Sequence, residues 1–180
     1  MKRKDKPHIA TIWLSGCSGC HMSFLDQDEF LIELGKMVRV VYSPIMDIKK
    51  FPENVDVTLV EGAVGNEEQL SLLREAREKT TTLISLGDCA VTGNVTALRN
   101  AWEDGDQAVL MRAYIETADV SPQIPAEVPR LLKRAHPLHE IVNVDYFIPG
   151  CPPPAHLIRY VMTELLEGRK PDMNGKSKYG

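Results

Sequence analysis

The stretch IATIWLSGCSGC, residues 9–20, decides the fold because it joins a short apolar run directly to a loop of small residues and cysteines. Its first half, residues 9–14, is mostly apolar and rich in β-forming side chains, which predicts a strand buried on both faces. The loop at residues 15–20 begins where that strand ends. It carries Cys17 and Cys20.

The same succession of strand, loop and helix recurs along the chain. Short runs rich in β-branched residues predict further strands at residues 38–42, 55–60, 81–86 and within 141–148. Apolar residues at helical spacing predict an irregular or kinked helix at about 24–36 and further helices at 67–79, near 95–102 and at 157–166. This alternation is typical of an α/β fold with a mostly parallel open sheet, flanked by helices and joined by right-handed crossovers.

The helix at residues 67–79 has a clear start signal. Asn66 is suited to the N-cap, and Gln69 stands at the capping-box position three residues later. Arg77 and Lys79 lie near the other end, where the helix dipole favours cations.

The length of 180 residues suits one domain. We expect it to cover residues 1–167, with an irregular insertion at 103–140 and a polar C-terminal tail at 168–180. The net charge of −4 argues against nucleic acid as the main partner. No apolar run approaches the roughly 20 residues of a membrane helix, so the chain is not expected to span a membrane.

The N-terminus, MKRKDKPHIATIWLSGC, begins with basic residues but does not continue as a signal peptide. Its apolar run is shorter than the ~7–15 residues of an h-region, no small-residue cleavage site follows, and there is no twin-arginine pair. We therefore expect a cytoplasmic protein. In a reducing cytosol, cysteines are more often metal ligands or catalytic groups than disulfides.

The cysteines follow predicted strands. Cys17 and Cys20 follow the first strand, Cys89 follows TLISLGD, and Cys151 follows VDYFIPG. Because parallel strands all point the same way, these loops gather at the carboxyl edge of the sheet, where open α/β folds bind ligands. The four cysteines are therefore predicted to form one site.

Four thiolates can hold a [4Fe–4S] cluster, a [2Fe–2S] cluster or a structural zinc ion. A four-cysteine zinc site usually has two CxxC pairs, whereas this chain has one CxxC and two distant single cysteines. The glycines near the cysteines favour a [4Fe–4S] cluster, because they let backbone N–H groups approach bridging sulfides: Gly16, Gly19, Gly87 and Gly150. A single cluster moves one electron at a time, which indicates a subunit of a larger electron-transfer enzyme. A zinc-stabilised binding module remains the alternative.

The motifs WLSGCSGCHMSFLD (13–26), LVEGAV (59–64), GDCAVTGN (87–94) and PGCPPP (149–154) together resemble the small subunit of nickel–iron hydrogenases, and most closely that of the cytoplasmic bidirectional NAD(P)-linked type. The resemblance implies a flavodoxin-like domain. It also implies that the four cysteines ligate the [4Fe–4S] cluster proximal to a nickel–iron site on a separate large subunit. Electrons would then reach a diaphorase module that carries further clusters, FMN and the NAD(P) site.

Two related families share this core. The complex I-type quinone oxidoreductase subunit usually has two adjacent cysteines in its first motif, whereas Ser18 and Gly19 separate them here. The small subunit of coenzyme F420-linked hydrogenases usually has extra ferredoxin-type cysteines, which this chain lacks. A flavodoxin-like fold also raises FMN as a cofactor, but the cluster would occupy the same end of the sheet, so FMN is not expected in this subunit.

Glu61 follows an apolar strand, where an unpaired carboxylate is costly to bury. The resemblance puts this glutamate near the cluster and the subunit interface, so it could relay protons or order the cluster loop. The alternative is a structural carboxylate that accepts backbone N–H bonds. His21 is expected to contact the partner rather than to ligate the cluster. Four further residues are candidates for apolar contacts with the large subunit: Trp13, Met22, Phe24 and Leu25.

Overall fold

The computed structural model of the protein describes residues 6–179. Its main sheet has five parallel strands in the order β2-β1-β3-β5-β7. They are β1 (His8–Trp13), β2 (Arg39–Tyr42), β3 (Val55–Glu61), β5 (Thr80–Leu86) and β7 (Tyr146–Ile148). A second, two-stranded antiparallel sheet pairs β4 (Val64–Asn66) with β6 (Leu131–His136). The order of the main strands is that of the flavodoxin-like open sheet, which confirms the predicted fold class.

Helices cover both faces of the main sheet. The α-helices are α1 (Gly19–Leu25), α2 (Phe30–Met37), α3 (Glu67–Lys79), α4 (Asp88–Thr92), α5 (Gly105–Met111) and α6 (Ala155–Leu166). A 3-10 helix, Asn94–Ala101, follows α4, and a π-helical turn, Arg112–Glu116, continues α5. None of the helices within residues 6–179 has the length and apolar character that a bilayer crossing requires.

The hydrophobic core has two parts, one on each face of the sheet. One part contains Ile9 of β1 together with residues of α1, α2 and α6: Cys20, Leu34, Leu157 and Ile158. The other contains Ala10 of β1 together with residues of α3 and α4: Leu73, Ala76 and Ala90. Since successive side chains of β1 are buried on opposite faces, the prediction of a doubly buried first strand is confirmed.

The predicted helix at residues 24–36 is two helices in the structure, α1 and α2. Asp28, between them, has a left-handed backbone conformation with φ of 50°, which interrupts helical hydrogen bonding. The predicted helix near residues 95–102 is a 3-10 helix instead of an α-helix. The sequence predicted helical structure correctly in both segments. The type of helix and its continuity depend on local backbone conformations, which the spacing of apolar residues does not indicate.

The segment 103–140 was expected to hold loops and one or two short helices. It contains α5 and its π-helical continuation, but also the unpredicted strand β6. In the C-terminal tail, the backbone N–H of Asp172 donates to the Tyr160 hydroxyl at 3.2 Å, and Met173 packs against the core. These contacts hold part of the tail against α6 and the core.

The predicted N-cap of α3 is confirmed. The side chain of Asn66 accepts a hydrogen bond from the backbone N–H of Gln69 at 2.8 Å. Gln69 does not complete a capping box with Asn66. Its Oε1 instead accepts the N–H of Gly65 at 2.9 Å and the hydroxyl of Ser15, also at 2.9 Å, which ties α3 to the loop after β1.

Candidate metal centre

The structure brings the three cysteine loops to the carboxyl edge of the main sheet. Cys17 is exposed in the loop after β1, and Cys20 is buried in the first turn of α1. Cys89 is half-buried in the first turn of α4, directly after β5, and Cys151 is exposed after β7. All four thiols are free. Parallel strand direction therefore collects residues that are far apart in the chain.

The loops touch one another around Gly19. Its backbone N–H donates to the sulfur of Cys17 at 3.4 Å. A methyl group placed on Gly19 would lie 3.2 Å from that sulfur and 4.0 Å from the Cβ of Pro152, the residue after Cys151. The first and last cysteine loops are thus neighbours.

The thiols also influence one another electrostatically. Burial raises the pKa of the Cys20 thiol well above its ordinary value, and four acidic groups raise it further: Glu61, Cys89, Cys17 and Cys151. Burial likewise raises the pKa of Cys89, although a hydrogen bond with the side chain of Thr96 acts in the opposite direction. A thiolate at Cys20 or Cys89 is therefore unfavourable without a positive charge nearby, such as the iron of a cluster or a zinc ion.

Glycines at two positions make the crowding of these loops possible. Gly87 has φ of 83°, and a methyl group there would lie 2.2 Å from the sulfur of Cys20. Gly150 has φ of 137°, and its methyl group would lie 2.6 Å from the Cα of Pro153. Any other residue would strain the backbone at either position. At Gly87 it would also displace Cys20, and at Gly150 it would displace Pro153 of the same loop.

Glu61 stands at the end of β3 and is only 1% exposed. Its carboxylate accepts the backbone N–H of Cys20 at 3.4 Å and that of His21 at 2.9 Å. Its Oε2 also lies 2.5 Å from Nδ1 of His21. Among the described residues, the Nε2 atom of His21 is buried without a hydrogen-bond partner. Glu61 therefore joins β3 to the first turn of α1.

The remaining residues predicted for this region lie around the same edge. Gly16 backs onto β3, because a methyl group there would lie 3.3 Å from the Cα of Gly62 and 3.6 Å from Oε1 of Glu61. Trp13 is 46% exposed, and its indole N–H donates to the carbonyl of Gly16 at 3.2 Å. Met22 and Leu25 are exposed, whereas Phe24 packs partly against the core.

Sequence reasoning missed side chains that support the cysteine loops. Asp88 is 4% exposed and hydrogen-bonds to Gly150, and the buried hydroxyl of Ser23 donates to the carbonyl of Pro153. Asp88 had a detectable signal, since a charged residue at the end of a buried strand needs a partner. Ser23 had no such signal, because a serine in a helix is common and its sequence position does not indicate a hydrogen-bond partner.

The donor chemistry of the edge fits an iron–sulfur cluster. Its ligand candidates are four free thiols, and glycines pack against two of them, Gly19 against Cys17 and Gly87 against Cys20. Within residues 6–179, no group of three or more His, Cys, Asp or Glu side chains lies close enough together to hold a single metal ion.

Residues 17–165 match the model of the NADH ubiquinone oxidoreductase 20 kDa subunit family. The chain belongs to this family. Within it, the chain is 42% identical over 177 residues to the delta subunit of NAD-reducing hydrogenase HoxS from Cupriavidus necator, a match that covers 95% of this chain and 84% of that protein. It is 38% identical over 172 residues to an F420-non-reducing hydrogenase subunit from Methanothermobacter marburgensis, which covers 92% of this chain but only 55% of that relative.

Two solved structures resemble this chain. A chain in the crystal structure of an NAD⁺-reducing [NiFe]-hydrogenase in the H2-reduced state superposes with a TM-score of 0.91 at 39% identity, covering 98% of this chain and all of that one. A chain of the Ni-Fe-Se hydrogenase from Desulfomicrobium baculatum has a TM-score of 0.60 at 14% identity, covering 93% of this chain and 67% of that chain, so that it shares the fold. The predicted relationship to hydrogenase small subunits is confirmed.

Proposed function

We propose that this chain is the electron-transfer small subunit of an NAD(P)-linked nickel–iron hydrogenase, and that Cys17, Cys20, Cys89 and Cys151 bind one [4Fe–4S] cluster. The observation that carries the proposal is the grouping of these cysteines in loops at one sheet edge, where Gly19 lies against Cys17 and Pro152 and Gly87 lies against Cys20. The names of the HoxS delta subunit and of the NAD⁺-reducing [NiFe]-hydrogenase support the hydrogenase assignment.

The cluster would supply one-electron transfer between the redox centres of partner subunits. In this proposal the cluster is the one proximal to the nickel–iron site, which lies on a large subunit, while FMN and NAD(P) bind to diaphorase subunits. This chain's own residues hold and shield the cluster. Gly19 and Gly87 keep side chains away from the thiols of Cys17 and Cys20, whereas Gly16 and Gly150 allow close approach to Gly62 and Pro153. The parallel strands place the four cysteines at one edge of the sheet.

Exposed apolar side chains near the cysteines support a docked partner. Trp13 and Met22 are 46% and 62% exposed beside the first cysteine loop. Val95 and Leu98 are 64% and 66% exposed on the 3-10 helix whose Thr96 contacts Cys89. A large subunit that covers this edge would bury these side chains and shield the cluster from water. We further propose that the assembly is cytoplasmic.

For Glu61 we propose support of the cluster loop rather than proton relay. Its two carboxylate oxygens accept the backbone N–H groups of Cys20 and His21, which are the first residues of α1 beyond Gly19. A carboxylate at this position offsets the unpaired N–H groups and the dipole of the helix start. This role explains why a charged group is buried at the end of β3.

Anaerobic purification of the full chain, with iron, sulfide and metal analysis, tests the proposal. We expect a brown protein with about four irons per chain and an EPR signal after reduction. A colourless protein that contains zinc would contradict the cluster and favour the zinc-stabilised module.

The complex I-type function remains the competing assignment, because the family carries the name of the 20 kDa subunit of NADH ubiquinone oxidoreductase. The large subunit that co-purifies distinguishes the two assignments. We expect it to contain nickel and to support hydrogen-dependent reduction of NAD(P). A large subunit without nickel, in a preparation that reduces quinone, would support the complex I-type function instead.

A further inference from the structure

The loop of Cys151 depends on side chains of other elements for its hydrogen bonds. Cys151 is exposed and lies between β7 and α6, in a run of one glycine and three prolines at residues 150–154. Prolines have no backbone N–H, so this run can form few hydrogen bonds of its own. Side chains from other elements hold the loop instead.

Asp88 holds the start of the loop. Its Oδ1 accepts the backbone N–H of Gly150 at 2.6 Å, and its own N–H donates to the carbonyl of Gly150 at 2.9 Å. Asp88 is also the residue directly before Cys89. This reciprocal pair therefore sets the position of the residue before Cys151 relative to the residue before Cys89.

Ser23 holds the end of the loop. Its buried hydroxyl donates to the carbonyl of Pro153, two residues after Cys151. Ser23 belongs to α1 and lies one helical turn beyond Cys20. Each end of the loop is thus hydrogen-bonded to an element that carries another of the cysteines.

We propose that Asp88 and Ser23 are positioning residues that hold Cys151 in place relative to Cys89 and Cys20 for a shared cluster. The inference rests on the proposed function, because it assumes that the cysteines bind one cluster. A cluster with four cysteine ligands needs every thiol at a defined place, and residues that orient ligands commonly matter for affinity as much as for stability. Loss of either hydrogen bond would let Cys151 move, while the other three thiols stay fixed by β1, β5 and their helices.

The chain offers a matched control at the opposite end of the same strand pair. Asp145, directly before β7, accepts the backbone N–H of Leu83 in β5 at 2.8 Å and donates its own N–H to the carbonyl of Leu83 at 2.9 Å. It repeats the reciprocal arrangement of Asp88 and Gly150, but at a position remote from the cysteines. Asp145 also pairs with Arg77 at 2.6 Å, so a variant at Asp145 sets an upper limit on what the loss of such a pair does to the fold.

The experiment compares four variants of the full chain, purified anaerobically, with the wild type: D88A, D88N, S23A and D145A. The measurements are iron and sulfide per chain, the EPR spectrum and midpoint potential of the reduced protein, and the temperature of unfolding. We expect D88A and S23A to lower cluster affinity by ~10–100-fold and to broaden the EPR signal. D88N keeps an oxygen acceptor for Gly150 and is expected to retain the cluster, while D145A loses stability but keeps wild-type iron content and spectrum.

The outcomes distinguish failure of the positioning role from failure of the proposed function. Wild-type iron content in both D88A and S23A, or equal iron loss in D145A, would overturn the positioning role while leaving the proposed function intact. If D88A does not fold, as judged by circular dichroism, S23A and D88N carry the test, and a D88N protein without cluster counts against the inference. A wild-type chain that binds no cluster would refute the proposed function itself, and the positioning role with it.

Discussion

Gly87 combines a backbone conformation that requires glycine with close contact to a candidate ligand. Its φ of 83° and ψ of 161° lie in a region that is essentially restricted to glycine. Its Cα faces the sulfur of Cys20, which leaves no room for a side chain. The need for glycine therefore arises both from the turn after β5 and from the thiol packed against it.

We predict that Gly87→Ala lowers the free energy of unfolding by about 1–3 kcal/mol through backbone strain and also lowers iron content, because Cys20 must move. Urea unfolding and iron analysis measure the two effects. Gly35→Ala is the control, since a methyl group there meets nothing within 4 Å in the middle of α2. The control is expected to stabilise the protein by about 0.4–1 kcal/mol. An alanine at position 87 that behaves like the control would contradict the strain argument.

Glu61→Gln separates the two roles considered for this carboxylate. A glutamine keeps one oxygen acceptor but places an NH2 group where the other oxygen accepts a hydrogen bond, so we expect a loss of ~1.5–3 kcal/mol in the free energy of unfolding. The EPR signal should also change, because the start of α1 shifts. Denaturant unfolding and EPR measure these effects.

Glu33→Gln provides the comparison, because Glu33 is 61% exposed and pairs only with Lys36 among the described residues. We expect this variant to remain within about 0.5 kcal/mol of the wild type. Unchanged stability and EPR in Glu61→Gln, together with lost hydrogen turnover, would instead support proton relay.

At the scale of elements, α3 shows how a local signal and a long-range contact combine. Asn66 caps the helix, and Gln69 ties the first turn to the loop after β1. The cap was predictable because it depends on neighbours three residues apart. The contact between Gln69 and Ser15 was not predictable, because it joins residues 54 positions apart and depends on the path of the loop after β1.

We predict that Asn66→Ala lowers the free energy of unfolding by about 0.5–2 kcal/mol, since one backbone N–H of the first turn loses its acceptor. Asn66→Asp is the matched variant, because it retains the acceptor and adds a negative charge that the helix start favours. Urea titrations followed by circular dichroism measure both. A loss of equal size in the two variants would show that capping is not the cause.

The strand β6 could not be predicted from its local sequence pattern. Its sequence, LLKRAH, contains two adjacent basic residues, and its partner β4 has only three residues. Side chains of the preceding 3-10 helix stabilise it, since Asn100 accepts the N–H of Ala135 at 2.8 Å and donates to its carbonyl at 2.7 Å. Arg99 also donates to the carbonyl of Leu132 at 2.7 Å. Because these hydrogen bonds come from residues distant in the chain, the sequence of β6 carries no alternation of apolar and polar residues that would predict a strand.

At the scale of the molecule, most of the hydrophobic core lies on the two faces of the sheet, whereas the proposed cluster site lies at one edge. The two core layers bury the strands from both sides, whereas the cysteine loops project from one edge. Apolar residues such as Trp13 and Met22 remain exposed beside those loops. We therefore expect a change in one of these exposed apolar side chains to affect partner binding more than folding.

Met22→Lys tests this expectation. Met22 is 62% exposed, so the free energy of unfolding should change by no more than about 0.5 kcal/mol. Binding of the co-purifying large subunit should weaken by roughly ten-fold, as for a residue that contributes more than 1 kcal/mol to an interface. Quantitative co-purification and native mass spectrometry measure the effect.

The control for this variant is Val120→Lys, at a residue that is 82% exposed within the segment 103–140. We expect it to leave both stability and association unchanged. Equal weakening by the two variants would indicate a general effect of added charge, and no weakening by Met22→Lys would remove this residue from the proposed interface.

The sequence by itself determined the α/β class, the parallel sheet, the cap of α3 and the grouping of the four cysteines at one edge. These follow from local apolar patterns and from the common direction of parallel strands, both of which can be read along the chain. Only the tertiary structure decided that α1 and α2 are separate, that β6 is a strand, and that Asp88, Ser23 and Glu61 hydrogen-bond to the cysteine loops. Those features depend on hydrogen bonds between residues far apart in sequence, whose partners are set by strand register and loop path rather than by any local pattern.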